Sequence, residues 1–231
     1  MIEDPPRLTV KRNRKRPTEA QLAAFQNTPT GFVGDAMAGQ GVLATAISPL
    51  RPDALTGPVC GPAFTVHAGA ADILAGFAAL PLVQPGDFFV IAFDEHQKCA
   101  TVGDRMCGML ANNGVIGLVT DGPVRDIDGI AATGVPVWCT GLTPATPFTQ
   151  GPGTIGLPIQ VGGQRVDTGD IVVADRDGVV VVPFDEIDRV ATALMGIRRL
   201  ETDLDAEVAD GLRSPSWAGE VLRGPHTRWV D

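Results

Sequence analysis

The chain has 231 residues, 44% of them hydrophobic and 19% charged, which suits a globular protein with one sizeable core. Its formal net charge of -9 disfavours nucleic acid as a partner, and no apolar run is long enough to span a membrane. The start, MIEDPPRLTV, has acid and proline where a signal peptide needs basic residues and an apolar core, so a cytoplasmic location is expected.

Residues 7–16, RLTVKRNRKR, form a basic stretch in an acidic protein. It reads as a solvated arm or a patch that packs on a neighbouring subunit, with RNA binding as the sharper alternative. Three segments are expected: an N-terminal arm over 1–17, an α/β domain over 18–212 and a tail over 213–231. Thr18 should cap a helix that runs through LAAFQ and stops before Pro29. A second short helix is expected over 30–43, with Asp35 on its surface. Residues 57–67 alternate as a strand does, 70–80 read as an alanine-rich helix, and FFVIAF (88–93) reads as a strand buried on both faces.

The stretch GDRMCGMLANNGVIGLVTDGPVRD (103–126) then gives a helix, a stop at Asn113-Gly114, a buried strand over 115–120 and a new helix near Asp126. PVWCT (136–140) is a further strand, and 141–153 is a loop rich in Gly, Thr and Pro. After it come two hairpins, turning at Gly162-Gly163 and at Arg176-Asp177-Gly178, and a helix from Asp185 to about Gly211. Trp217 and Trp229 in the tail read as docking anchors.

Neither GPGTIGLP (151–158) nor GVIGLVTDG (114–122) has the pattern of a nucleotide-binding loop. Cys60, Cys99, Cys107 and Cys139 form no CxxC pair, so they read as buried free thiols. Three scattered histidines make neither a histidine triad nor a histidine metal cage.

Chemistry concentrates in 103–126. Asp104 is a candidate N-cap, and the amides of Arg105 and Met106 in the first helical turn lack intrahelical acceptors, which suits them to an anion. Arg125-Asp126 follows the carboxyl end of a strand, where ligands gather in α/β sheets. Arginine can grip a carboxylate with a two-pronged fork, and aspartate can ligate a hard cation such as Mg²⁺. Alone, Asp104 is a helix cap and Arg125-Asp126 a local ion pair; their joint spacing favours a site for an anion and a metal.

At these residues the chain resembles the RraA-like proteins, which include class II pyruvate aldolases acting on 4-hydroxy-4-methyl-2-oxoglutarate and 4-carboxy-4-hydroxy-2-oxoadipate. The resemblance rests on Gly103-Asp104, Gly114, Gly117, Asp121-Gly122 and Arg125-Asp126, with flanking marks in order at 57–66, 85–93, 134–141 and 169–183. It covers roughly residues 28–212. It implies a swivelling β/β/α-type α/β domain, a trimer or hexamer with sites at subunit interfaces, and a Mg²⁺ or Mn²⁺ cofactor. It also implies roles. Asp126 would ligate the metal, and Arg125 would contact the substrate's pyruvyl group. Gly103 with the Arg105 and Met106 amides would cradle its carboxylate, and Asp104 would order water. Glu201 and Asp35 would serve from a neighbouring subunit, Asp35 standing where the aldolases place glutamate.

The reaction so implied is retro-aldol cleavage of a 4-hydroxy-2-oxo acid to pyruvate, with oxaloacetate decarboxylation as a companion. The three lysines, Lys11, Lys15 and Lys98, lie outside the motif, which argues against a Schiff-base aldolase. The alternative implied by the resemblance is a non-catalytic regulator that binds a ribonuclease.

Overall fold

The computed structural model describes residues 6–231; the first residues of the acidic start, on which the signal-peptide argument partly rests, lie outside them. The chain forms two compact units that divide after Leu194. The first is a mixed α/β unit. Strands β3 (Val59–His67), β4 (Phe88–Ala92), β5 (Gly117–Thr120) and β6 (Val137–Cys139) pair in parallel. The short β2 (Ser48–Pro49) adds antiparallel at the β6 edge. At the other edge β7 (Gly153–Ile155) runs antiparallel to the end of β3.

Strand β3 is long enough to serve two partners. Its second half pairs with β4, while Val59–Pro62 pairs with β10 (Ile171–Ala174), whose hairpin mate is β11 (Val179–Val182). The other expected hairpin, β8 (Ile159–Val161) and β9 (Gln164–Val166), turns at Gly162-Gly163 with φ of 55° and 75°. Those left-handed angles are what a tight two-residue turn requires and glycine allows.

Alternation along β4 explains the layering. Phe89 and Ile91 face one core, with Met106, Cys107, Leu110 and Ile130. Those four come from α4 (Asp104–Asn112) and α5 (Ile127–Thr133). Phe88, Val90 and Ala92 face a second core, with Val161, Val172 and Val181 from the hairpins. The sheet thus has helices on one face and a second β layer on the other, and FFVIA is apolar throughout because both of its faces are buried.

Three helices are shorter than the sequence suggests. Thr18 makes a full capping box with Gln21, but α1 is only Glu19–Ala23. Helix α2 is Thr30–Ala36, because the chain turns left-handed at Ala38 and Gly39. Helix α3 is Leu74–Ala79, since Ala71 has φ 61° and the Asp72 carboxylate takes the Leu74 amide at 2.8 Å.

The basic stretch is not a solvated arm. Leu8–Val10 forms β1, parallel to β7. Arg14 and Arg16 converge on the buried carboxylate of Asp87, with Arg14 Nη1 2.8 Å from it. Lys15 pairs with Asp185 at 3.0 Å. The acidic turn at 85–87 therefore supplies the countercharge.

Helix α6 (Ile187–Ala209) buries Ile187, Val190 and Leu194 in its first turns. The second unit, Met195–Asp231, holds the rest of α6 and α7 (Ser216–Arg223). Leu200, Leu204 and Val208, four residues apart, are exposed there, as are Trp217 and Trp229. Among the described residues, no helix is long and apolar enough to cross a membrane. All four cysteines are free and buried.

Candidate active site

A cavity of about 520 Å³ opens where α4 begins and β5 leads into α5. Asp104, Arg105, Arg125 and Asp126 line it together with Phe77, Pro147 and Thr149. Residues brought together from 103–106 and 125–126 are those singled out by spacing; the loop 146–149 carries no pattern that would have placed it here.

Gly103, not Asp104, is the N-cap of α4, with extended backbone (φ −134°). A Cβ on Gly103 would stand 2.6 Å from Asp126 Oδ2 and 3.2 Å from Arg125. Glycine there lets the two halves of the motif touch. Asp104 is the first helical residue, and its Oδ1 accepts from the Arg105 amide at 2.7 Å. That amide is already satisfied, so within the expected cradle the Met106 amide is the one left without an intrahelical acceptor. Gly129 of α5 lets Asp104 pack closely, since a Cβ there would lie 2.5 Å from Asp104 Cβ.

Asp126 sits at the N-cap of α5 in the left-handed region (φ 62°, ψ 47°). Aspartate tolerates this better than most residues, at a cost of about 1 kcal/mol. Its side chain makes no capping hydrogen bond. The carboxylate instead lies 3.3 Å from Arg125 Nε and remains half-exposed in the cavity. Arg125 is held at three points: its amide donates to Val102 O (3.1 Å), its Nη1 to Thr146 Oγ1 (2.7 Å), and its Nε faces Asp126. Strained backbone beside a carboxylate not used for capping points to function rather than to helix stability.

The other motif acid, Asp121, is structural. Its buried carboxylate accepts the Phe93 and Glu95 amides at 2.5 and 3.1 Å and fixes the loop after β4. Burial raises its pKa, partly offset by those bonds. Gly122 is required behind the site, because a Cβ would meet Thr101 Oγ1 at 2.2 Å. Cys107, on the buried face of α4, has its thiol pKa pushed up to about 12 by desolvation and is no nucleophile. Asp35 is exposed on α2 and does not line the cavity. Glu201 lies on the α6 segment that belongs to the second unit.

Among the described residues no group of three or more His, Cys, Asp or Glu is placed to hold a metal. The donor set is nonetheless of the type a hard cation uses: oxygen only, one exposed carboxylate and a second nearby. Mg²⁺ commonly takes one or two carboxylates and fills its shell with water and substrate.

A family model described as RraA-like, Aldolase/RraA, matches residues 30–181. A protein of Halalkalibacterium halodurans, provisionally named 4-hydroxy-4-methyl-2-oxoglutarate aldolase, is 38% identical over 164 residues, covering 70% of this chain and 76% of its own. Protein DlpA of Legionella pneumophila is 26% identical over 211 residues, which are 82% of this chain but 32% of DlpA. The crystal structure of Streptomyces coelicolor RraAS2, described as an unusual member of the RNase ES inhibitor RraA family, superposes with a TM-score of 0.74 at 27% identity, covering 83% of this chain and all of that one.

Proposed function

This chain belongs to the RraA-like family, and from that premise we propose that it cleaves a 4-hydroxy-2-oxo dicarboxylic or tricarboxylic acid to pyruvate, using Mg²⁺ or Mn²⁺. The observation that carries the reading is the Asp126 carboxylate, held in a left-handed N-cap without capping and set beside Arg125 in the cavity. The name of the Halalkalibacterium relative supports the same chemistry.

Asp126 is the residue to hold the cation, with Glu201 and Asp35 supplied by a neighbouring subunit. Asp35 is a shorter acid than the aldolases place there, so it reaches less far. A cation at Asp126 would act as a Lewis acid toward the keto oxygen of the substrate. Arg125, fixed by Thr146, donates hydrogen bonds to that oxygen as negative charge develops on it. The Met106 amide, at the start of α4, receives the substrate carboxylate. Asp104 orders the water that takes the C4 hydroxyl proton. The C3–C4 bond then breaks, its electron pair enters the pyruvate enolate, and protonation at C3 yields pyruvate. No lysine lines the cavity, so no Schiff base is invoked. Loss of CO₂ from oxaloacetate gives the same enolate, and decarboxylation is the expected companion activity.

The test is pyruvate release from 4-hydroxy-4-methyl-2-oxoglutarate and from oxaloacetate, with Mg²⁺ and with chelator. Turnover should stop with chelator, and Arg125→Ala and Asp126→Ala should each lower it by more than ~100-fold while melting like the parent. Full activity in either variant would sink the assignment. The likeness to RraAS2 favours a second reading, a non-catalytic ribonuclease regulator. No turnover of any 2-oxo acid, together with tight binding to a ribonuclease, would establish that reading instead.

A further inference from the structure

The two arginines of the cavity are differently employed. Arg125 is tied to Thr146 and Asp126. Arg105, the second residue of α4, lines the same cavity, and only its backbone amide has a partner, in Asp104. Its guanidinium makes no ion pair or hydrogen bond among the described residues. Ile73, Phe77 and Pro147 also line the cavity, and its two carboxylates, Asp104 and Asp126, make no ion pair with the Arg105 guanidinium. Its volume of about 520 Å³ is within the range of small-molecule sites and exceeds what pyruvate alone would fill. An arginine fork matches a carboxylate in shape and charge.

We propose that Arg105 binds the distal carboxylate of the substrate, so that this site prefers 2-oxo acids with a second carboxylate over those that end in methyl. The proposal rests on the reading of the cavity as a 2-oxo acid site. Its consequence is a division of labour: Arg125 serves the reacting end, common to all substrates, and Arg105 reads the end that varies.

The experiment is calorimetric titration of the full chain with Mg²⁺, using 2-oxoglutarate and 2-oxopentanoate. These ligands have the same chain length and differ in the distal carboxylate. The parent should bind 2-oxoglutarate ~10- to 100-fold more tightly, the size of a charge-assisted arginine contact. Arg105→Gln should lose that preference while holding 2-oxopentanoate as the parent does, and Arg105→Lys should restore part of it. A merely structural role would weaken both ligands together. An undiminished preference in Arg105→Gln overturns the proposal, as does a parent that binds both equally. Binding of neither ligand by the folded parent overturns it together with the site reading, which separates that failure from a failure of Arg105 alone.

Discussion

At the candidate site Asp126 contradicts local backbone preference, and Gly103 makes room for it. Asp126 occupies a left-handed angle that few side chains accept, and Gly103 lacks the side chain that would keep α4 away from Arg125-Asp126. A methyl group on Gly103 must displace Asp126 Oδ2, since 2.6 Å is well inside contact distance. Gly103→Ala should therefore lower pyruvate release by ~10- to 100-fold, because small misplacement of reacting groups is costly. Gly103 has an ordinary extended φ, so the melting temperature should shift by only a few degrees; steady-state kinetics with thermal melts check both. Unchanged turnover would show that Arg125 and Asp126 need not hold this geometry.

At the scale of elements, contacts distant in sequence hold the site's frame. Helix α2 has no side-chain cap of its own; Asp175, between β10 and β11, takes the Thr30 amide and hydroxyl at 2.8 and 2.7 Å. Strand β1 lies along β7, and Arg7 donates to Gln150 O and Thr149 O at 2.8 and 3.2 Å, bracing the loop that lines the cavity. The same N-terminal stretch is pinned by Arg14 and Arg16 on Asp87, which is 1% exposed. Removing one partner of a buried charge cluster strands the other charges. Asp87→Ala should therefore cost about 3–5 kcal/mol, read as a lower midpoint in urea unfolding. A loss under ~1 kcal/mol would mean that the arginines find water instead.

Across the whole molecule, burial on both sheet faces has an electrostatic cost at Asp170. Its carboxyl accepts the Asp167 and Phe184 amides, both at 2.8 Å, yet desolvation raises its pKa to about 6. The folded protein thus holds this proton to higher pH than the unfolded chain, whose aspartates titrate near 3.9. Stability contributed by the protonated form is present below about pH 4 and is lost as pH rises through 6. The loss is at most roughly 3 kcal/mol. Denaturation midpoints across this window should show a shallower decline in Asp170→Asn than in the parent; parallel curves would remove Asp170 as the cause.

Much of this was legible from residues alone. An unbroken apolar run placed β4 and glycine turns placed both hairpins, because a short apolar run and left-handed turn angles are local properties. The chemical motif was legible because α4 and the β5–α5 turn lie close in sequence as well as in space. The sequence alone misplaced the N-cap by one residue, since the choice between Gly103 and Asp104 depends on backbone angles. It also left the basic stretch 7–16 without its partners. Asp87 lies 73 residues from Arg14, and β7 lies still farther from β1. The sequence by itself determined which residues of 103–126 to bring forward as candidates, and 103–106 and 125–126 do line one cavity. Only the tertiary structure decided which of their groups are free: Asp126 left uncapped, the Arg105 amide satisfied but its guanidinium unpaired. The physical reason is that a hydrogen bond or ion pair is settled by three-dimensional neighbours, and spacing along the chain records only the nearest of them.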